Sequence, residues 1–229
     1  MAEKRTDAAR IAELEADNQR LRRLLDQRDA PGELRHRLRS TVAMLRTIIR
    51  KSARTKRDID AYVAHVEDRL DALMRAQAAA DERGAVGIYK LLTDELFHYG
   101  ASEGERLHLS GPVVELRPRA GQVFSLAVHE LAVNAVEHGV LGARTGRIAI
   151  AWTVEREGEG LDPVMTFIWK ETGAAPTEQP FHQGFGREVI TRVVAYELKA
   201  DTSLAFEPDG LRCTIRFPLS EGIGRVVGG

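Results

Sequence analysis

Apolar positions follow two rhythms along the chain. Up to about residue 80 they keep helical spacing, and from residue 88 helical stretches alternate with short runs of period two. In residues 9–29, Ile11, Leu14, Leu21 and Leu25 fall at the a and d positions of a heptad, with Asn18 at an a position. In a parallel partner Arg10 would face Glu15, and Asp17 would face Arg22. Core, flanking charges and a self-pairing amide together predict a parallel dimeric coiled coil over residues 1–30.

Pro31-Gly32 interrupts that helix, and a new one can start at the proline. Leu34, Leu38, Val42, Leu45, Ile48 and Ile49 predict a helix to about residue 53. Residues 54–57 make a short connection, and Ile59, Val63, Val66, Leu70, Leu73 and Met74 predict a second helix to about residue 80. The hairpin, residues 31–82, leaves its apolar stripe open, and pairing two copies as a four-helix bundle buries it. Residues 81–87 read as a polar hinge.

From residue 88 to 220 the pattern is mixed α/β. It predicts helices over 88–99, 120–138 and 186–198. Strands are expected over 106–109, 113–116, 147–155 and 164–170, then 202–207 and 211–218 around the turn Pro208-Asp209-Gly210. Residues 172–183, with two prolines, read as a loop, and residues 222–229 as a disordered tail. The fold class is therefore α plus α/β: coiled coil, dimeric helical hairpin, then an α/β domain with a mixed sheet.

Composition narrows the function classes. The net charge of the 229 residues is −1, yet residues 33–57 hold nine basic side chains and one acid, Glu33. Such a local basic face suits an acidic partner. No recognisable nucleic-acid reading module accompanies it, so no nucleic-acid partner is expected. One cysteine, Cys213, fits a reducing compartment, and no apolar run reaches membrane-spanning length, so the expected location is cytoplasmic.

Three segments carry candidate chemistry. In His129-Glu130-Leu-Ala-Val-Asn134-Ala-Val-Glu137-His138-Gly139, Glu130 and Asn134 lie one turn apart on one helix side, where hard oxygens can serve a hydrated Mg²⁺. Taken alone, that face is equally a solvated polar stripe. Trp169-Lys-Glu171-Thr-Gly173 sets a carboxylate just past an apolar strand, able to accept from a base amine. Gly184-Phe185-Gly186 precedes a helix and lets backbone N–H groups approach phosphate. His65, His98 and His108 read as surface or packing residues.

In that order and spacing, residues 33–218 resemble the HWE group of sensor histidine kinases in the GHKL superfamily, here without a sensor domain. His129 and Trp169-Lys-Glu171 stand for the group's name, and His129 to Ala135 is similar to its N box. Glu171-Thr-Gly173 and Gly184-Phe185-Gly186 are similar to its glycine boxes, and Glu33-Leu-Arg-His36-Arg37 to its phosphoacceptor box. The resemblance implies a GHKL-type (Bergerat) α/β sandwich that binds ATP with Mg²⁺ on Asn134. It implies His36 as the phosphoacceptor and Glu130 as a catalytic helper. Glu171 would hold the adenine amine, and Gly173, Gly184 and Gly186 would line the pocket beside Phe185, His129 and His138. The partners implied are a second copy of the chain, a response-regulator receiver domain and a separate soluble sensor.

The chain departs from the family pattern at four places: Ser40 for the usual Asn, Glu137 for a frequent Lys, and Ala174-Ala175 for Gly-Pro. These bear on phosphatase activity and nucleotide affinity. They keep open a degenerate phosphotransfer or scaffold protein as the alternative. An anti-sigma-type serine kinase is a weaker one, suggested by Asn134-Ala-Val-Glu-His-Gly139. Removing residues 1–30 is expected to weaken the dimer without unfolding the hairpin. Light scattering at micromolar concentration checks this, and a monomeric full chain would overturn the bundle reading.

Overall fold

The computed structural model describes residues 59–101, 103–143, 145–173 and 185–228, together with Val42, Leu45, Ile48 and Ile49. The chain forms two compact units, residues 1–47 and 48–229. In the first, Val42 and Leu45 are described and helical. The expected coiled coil, His36, Ser40, Ala174, Ala175 and Gly184 lie outside the described residues, as does the side chain of Phe185.

The second unit opens with helix α1 (Ile59–Arg83), strand β1 (Val86–Gly87) and helix α2 (Ile88–His98). Strands β2 (Leu107–Ser110) and β3 (Val114–Leu116) lead into helix α3 (Pro118–Glu137). Then come strands β4 (Arg147–Glu155) and β5 (Val164–Thr172). Helix α4 starts at Phe185–Glu188, widens to a π-helical segment at Val189–Val194 and ends at Ala195–Glu197. Strands β6 (Asp201–Glu207), β7 (Gly210–Pro218) and β8 (Gly224–Val226) finish the fold.

Five strands form a mixed sheet in the order β2-β4-β5-β7-β6, in which only β2 and β4 run parallel. Period-two burial gives the sheet one packed face: Ile148, Ile150 and Trp152 from β4, Met165, Phe167 and Trp169 from β5, Cys213, Ile215 and Phe217 from β7. Helix α3 covers this face. The ring of Phe124 meets Phe167 edge-on at 5.0 Å and lies 6.0 Å from Phe217. This is the α/β sandwich with a mixed sheet expected from the family resemblance.

Helix α1 packs along the other side of α3. Its buried residues are Arg69, Ala72, Leu73, Ala76 and Ala80, whereas Ile59, Val63 and Met74 of the expected stripe stay exposed. Small alanines let the two helices approach, and the Ser125 hydroxyl donates to the Ala72 carbonyl at 3.1 Å. A second bond, from the Gln122 side-chain amide to Gln77, ties the same helix pair.

Three expectations need correction. Residues 81–87 are not an open hinge. Helix α1 continues to Arg83, and β1 pairs Val86 with Leu116, leaving Val86 buried. The tail is not disordered through 222–229, because β8 pairs antiparallel with β3 and buries Ile223 and Gly224. The helix expected over 186–198 is not regular, since its centre is π-helical. In the first two cases a strand partner distant in sequence outweighs local composition. Strands β1, β3 and β8 make a small antiparallel sheet whose partners lie far apart in sequence.

Deleting residues 222–229 is therefore expected to lower stability by about 2–5 kcal/mol, the cost of losing a buried isoleucine with its cavity. Urea denaturation checks it. An unchanged midpoint would return the tail to a disordered appendage.

Candidate functional site

Helix α3 delivers the first group of candidate residues. Pro118 sits in its first turn and its last turn closes with the His138 N–H on the Asn134 carbonyl at 2.8 Å. Phe124, Ala127, Leu131 and Ala135 are buried, and the same helix rotation brings Glu130 and Asn134 towards the start of α4. A Cβ at Gly186 would stand 3.0 Å from Glu130 Oε2 and 3.2 Å from Asn134 Nδ2. The glycine therefore permits a close approach that a larger residue would disturb. Glu130, Asn134 and Gly186 form one cluster.

The Asn134 amide nitrogen donates to the Glu130 carbonyl at 2.5 Å, which orients the amide. Among the described residues no group of three His, Cys, Asp or Glu is placed to hold a metal. A Mg²⁺ ion here fits the donors present if Asn134 gives one hard oxygen and phosphates and water give the rest. Glu130 is buried, and both its oxygens are taken by Arg69 of α1, Nε at 2.6 Å and Nη2 at 3.0 Å.

Glu171, at the end of β5, forms the second group. Its position opposite Ile148 turns it to the packed face, and it is 2% exposed. The Trp169 indole N–H donates to Oε1 at 3.1 Å, and the Val140 backbone N–H donates to Oε2 at 3.2 Å. A Cβ at Gly139 would stand 2.2 Å from Oε2, so that glycine allows the carboxylate to lie against the end of α3. Gly173 follows β5, with its N–H on the Asp209 carbonyl at 3.0 Å. Burial pushes the Glu171 carboxyl above its usual range, and the two donated bonds oppose that shift only in part.

His129 is not brought to either group. Its ring is buried, with Nδ1 2.8 Å from Glu95 Oε1 and 3.1 Å from the Tyr99 hydroxyl. Glu95 also accepts from Arg75 at 2.6 Å. Burial alone would push its carboxyl up, yet the bonds from His129 and Arg75 outweigh this and hold it below the usual range. His129 therefore links α3 to α2, and through Glu95 to α1. His138 is exposed beside Glu137, at 3.6 Å, and Glu137 also meets His65 Nε2 at 3.3 Å.

Sequence reasoning missed three contributors. Arg69 and Glu95 look like surface charges on amphipathic helices, and no local signal marks their burial. Arg106 sits at the edge of β2, where its guanidinium donates to the carbonyls of Val140, Ala143 and Gly146. It thereby pins the loop that follows α3 beside Glu171.

The model of the HWE histidine kinase family matches residues 33–113. Blue-light-activated histidine kinase 1 of Erythrobacter litoralis is 32% identical over 202 residues, covering 85% of this chain and 54% of that protein. The blue-light-activated histidine kinase of Brucella anthropi is 29% identical over 194 residues, covering 83% of this chain and 39% of that protein. The chain thus spans about half the length, or less, of these relatives. Among solved structures, the blue-light activated histidine kinase EL346 of Erythrobacter litoralis superposes with a TM-score of 0.54 at 17% identity, over 83% of this chain and 63% of that one. Its isolated histidine kinase domain gives 0.51 at 15%, over 80% and 96%. At such identities the superpositions establish the fold.

The bond from Trp169 to Glu171 yields a pH prediction. With its proton held more tightly in the folded chain, Glu171 adds stability fully below its unfolded value of 4.5, and this is lost as pH rises through the folded value. The indole bond favours the charged form and limits that loss. Trp169→Phe should therefore cost more stability at pH 8 than at pH 4. The excess is about 1.5–3 kcal/mol, the worth of a hydrogen bond to a charged group. Equal costs at both pH values, by urea denaturation, would mean the indole acts by packing alone.

Proposed function

Homologous to histidine kinases over most of its length and matching their HWE group over residues 33–113, this chain is, we propose, an ATP-dependent histidine autokinase. The carrying observation is the convergence of Glu130 and Asn134 on Gly186 near the C-terminal end of α3, with buried Glu171 against the turn that follows that end. That arrangement suits a nucleotide laid along the end of α3. Glu171 accepts from the adenine amine, and Asn134 and the backbone around Gly186 serve the phosphates. By the resemblance, Gly173, Gly184 and Phe185 would line the pocket, and His138, which is exposed, would stand beside it.

In the proposed reaction a ring nitrogen of His36 forms a bond to the γ-phosphorus. The bond from that phosphorus to the β,γ-bridging oxygen breaks, and ADP leaves with its electron pair. Catalysis of this kind rests on positioning and charge compensation, since phosphoryl transfer asks little covalent work of the protein. Mg²⁺, when bound, would neutralise charge on the phosphates. The phosphoryl group would then pass to an aspartate of a response-regulator receiver domain. Arg35 and Arg39, four positions apart in the sequence, would meet its acidic face. A homodimer is supported by Ile59, Val63 and Met74, which lie exposed along α1 at helical spacing. Among the described residues no helix is long and apolar enough to cross a membrane. The domain boundaries of this reading are residues 1–30 and 31–82, followed by the nucleotide-binding domain expected over 88–220, here extended to take in β1 and β8.

Incubation with γ-labelled ATP and Mg²⁺ should give acid-labile, base-stable label, absent in His36→Gln and in Asn134→Ala. Glu171→Ala should weaken ATP binding by about 1.5–3 kcal/mol through the lost adenine contact. Unchanged affinity in calorimetry would move the adenine site elsewhere. Binding of no adenine nucleotide by the unmodified chain would favour the scaffold alternative.

A further inference from the structure

The cluster proposed for the phosphates contains an electrostatic contradiction. Glu130 lies against Gly186, its carboxylate is almost wholly buried, and a polyphosphate placed there would face an anion in a poorly screened setting. The structure holds the remedy within hydrogen-bond distance. Arg69, also nearly buried, binds both Glu130 oxygens through Nε and Nη2 at 2.6 and 3.0 Å. A planar guanidinium clamping a carboxylate in this way fixes its orientation and cancels its charge.

We propose that Arg69 is a positioning residue of the nucleotide site, the cation that lets ATP phosphates sit beside Glu130. The inference rests on the nucleotide reading above and adds a residue to it. Arg69 stands on α1, upstream of residues 88–220, so the phosphate end of the site is completed by the second helix of the hairpin. Packing of Ala72, Ala76 and Ala80 holds α1 at the spacing this needs. A shift of α1 along α3 would strip Glu130 of its partner and expel phosphate. Helix position and nucleotide affinity are thereby coupled.

Charge bookkeeping makes the test specific. The Arg69–Glu130 pair is neutral, Arg69→Gln leaves one negative charge, Glu130→Gln leaves one positive charge, and the double substitution is neutral again. Calorimetry with ATP, ADP and AMP on the full chain reads the consequence. Arg69→Gln should weaken ATP about tenfold, ADP less and AMP least, because the repulsion grows with phosphate charge. Glu130→Gln should tighten ATP by about threefold, and the double variant should return close to the unmodified chain. If Arg69→Gln fails to fold, the opposite-sign effect of Glu130→Gln and the recovery in the double variant carry the test. Equal losses for the three nucleotides, or unchanged ATP affinity in Glu130→Gln, would overturn the proposal. If the unmodified chain bound none of the nucleotides, the nucleotide reading itself would fall. Intact binding with an indifferent Arg69 would remove this inference alone.

Discussion

The fold depends on burying helix Pro118–Glu137 from two sides. One side meets the sheet, where Phe124 packs on Phe167 and Phe217. The other meets α1 and α2, and this side carries Ser125, His129 and Glu130, all buried. Polar groups removed from water need partners, since an unpaired one costs about 1–3 kcal/mol and more if charged. Each finds one across the helix interface: the Ala72 carbonyl, Glu95 and Arg69. A helix with apolar residues all round would pack here in many rotations. These pairs allow one, because a turn of the helix would leave buried charges without counter-charges.

That single rotation places the candidate chemistry. Glu130 and Asn134 reach Gly186, while the helix end brings Gly139 and Val140 against Glu171. The loop between α3 and β4 carries this second contact, and Arg106 holds it by donating to three of its carbonyls. Glu171 itself is unfavourable for folding in its charged form, as its raised pKa states. The donors from Trp169 and Val140 hold this buried carboxylate in one orientation.

His129 and Trp169 act alike. Neither enters the clusters expected to meet ligand, and each supports a carboxylate that is otherwise buried. His129 holds Glu95 where three helices meet, and Trp169 holds Glu171 at the sheet edge. Their value lies in keeping short-range geometry inside a core whose neighbouring aliphatic side chains could supply no hydrogen bond.

The sequence by itself determined the elements with strong local period. The alternation of Arg147–Glu155 and Val164–Thr172 and the long apolar face of Pro118–Glu137 are legible, because side-chain period is a local property. It also determined that Glu130 and Asn134 share a helix side and that Glu171 ends a strand. Tertiary structure alone decided that Arg69 belongs beside Glu130, 61 residues away, and that Glu95 belongs beside His129, 34 residues away. It alone decided that residues 81–83 are helix and that residues 86–87 and 224–226 are strands, since β1 and β8 have too few residues to carry a period. The reason is common to all of these. Ion pairs and short strands are stabilised by partners distant in sequence, so nothing in the neighbouring residues announces them.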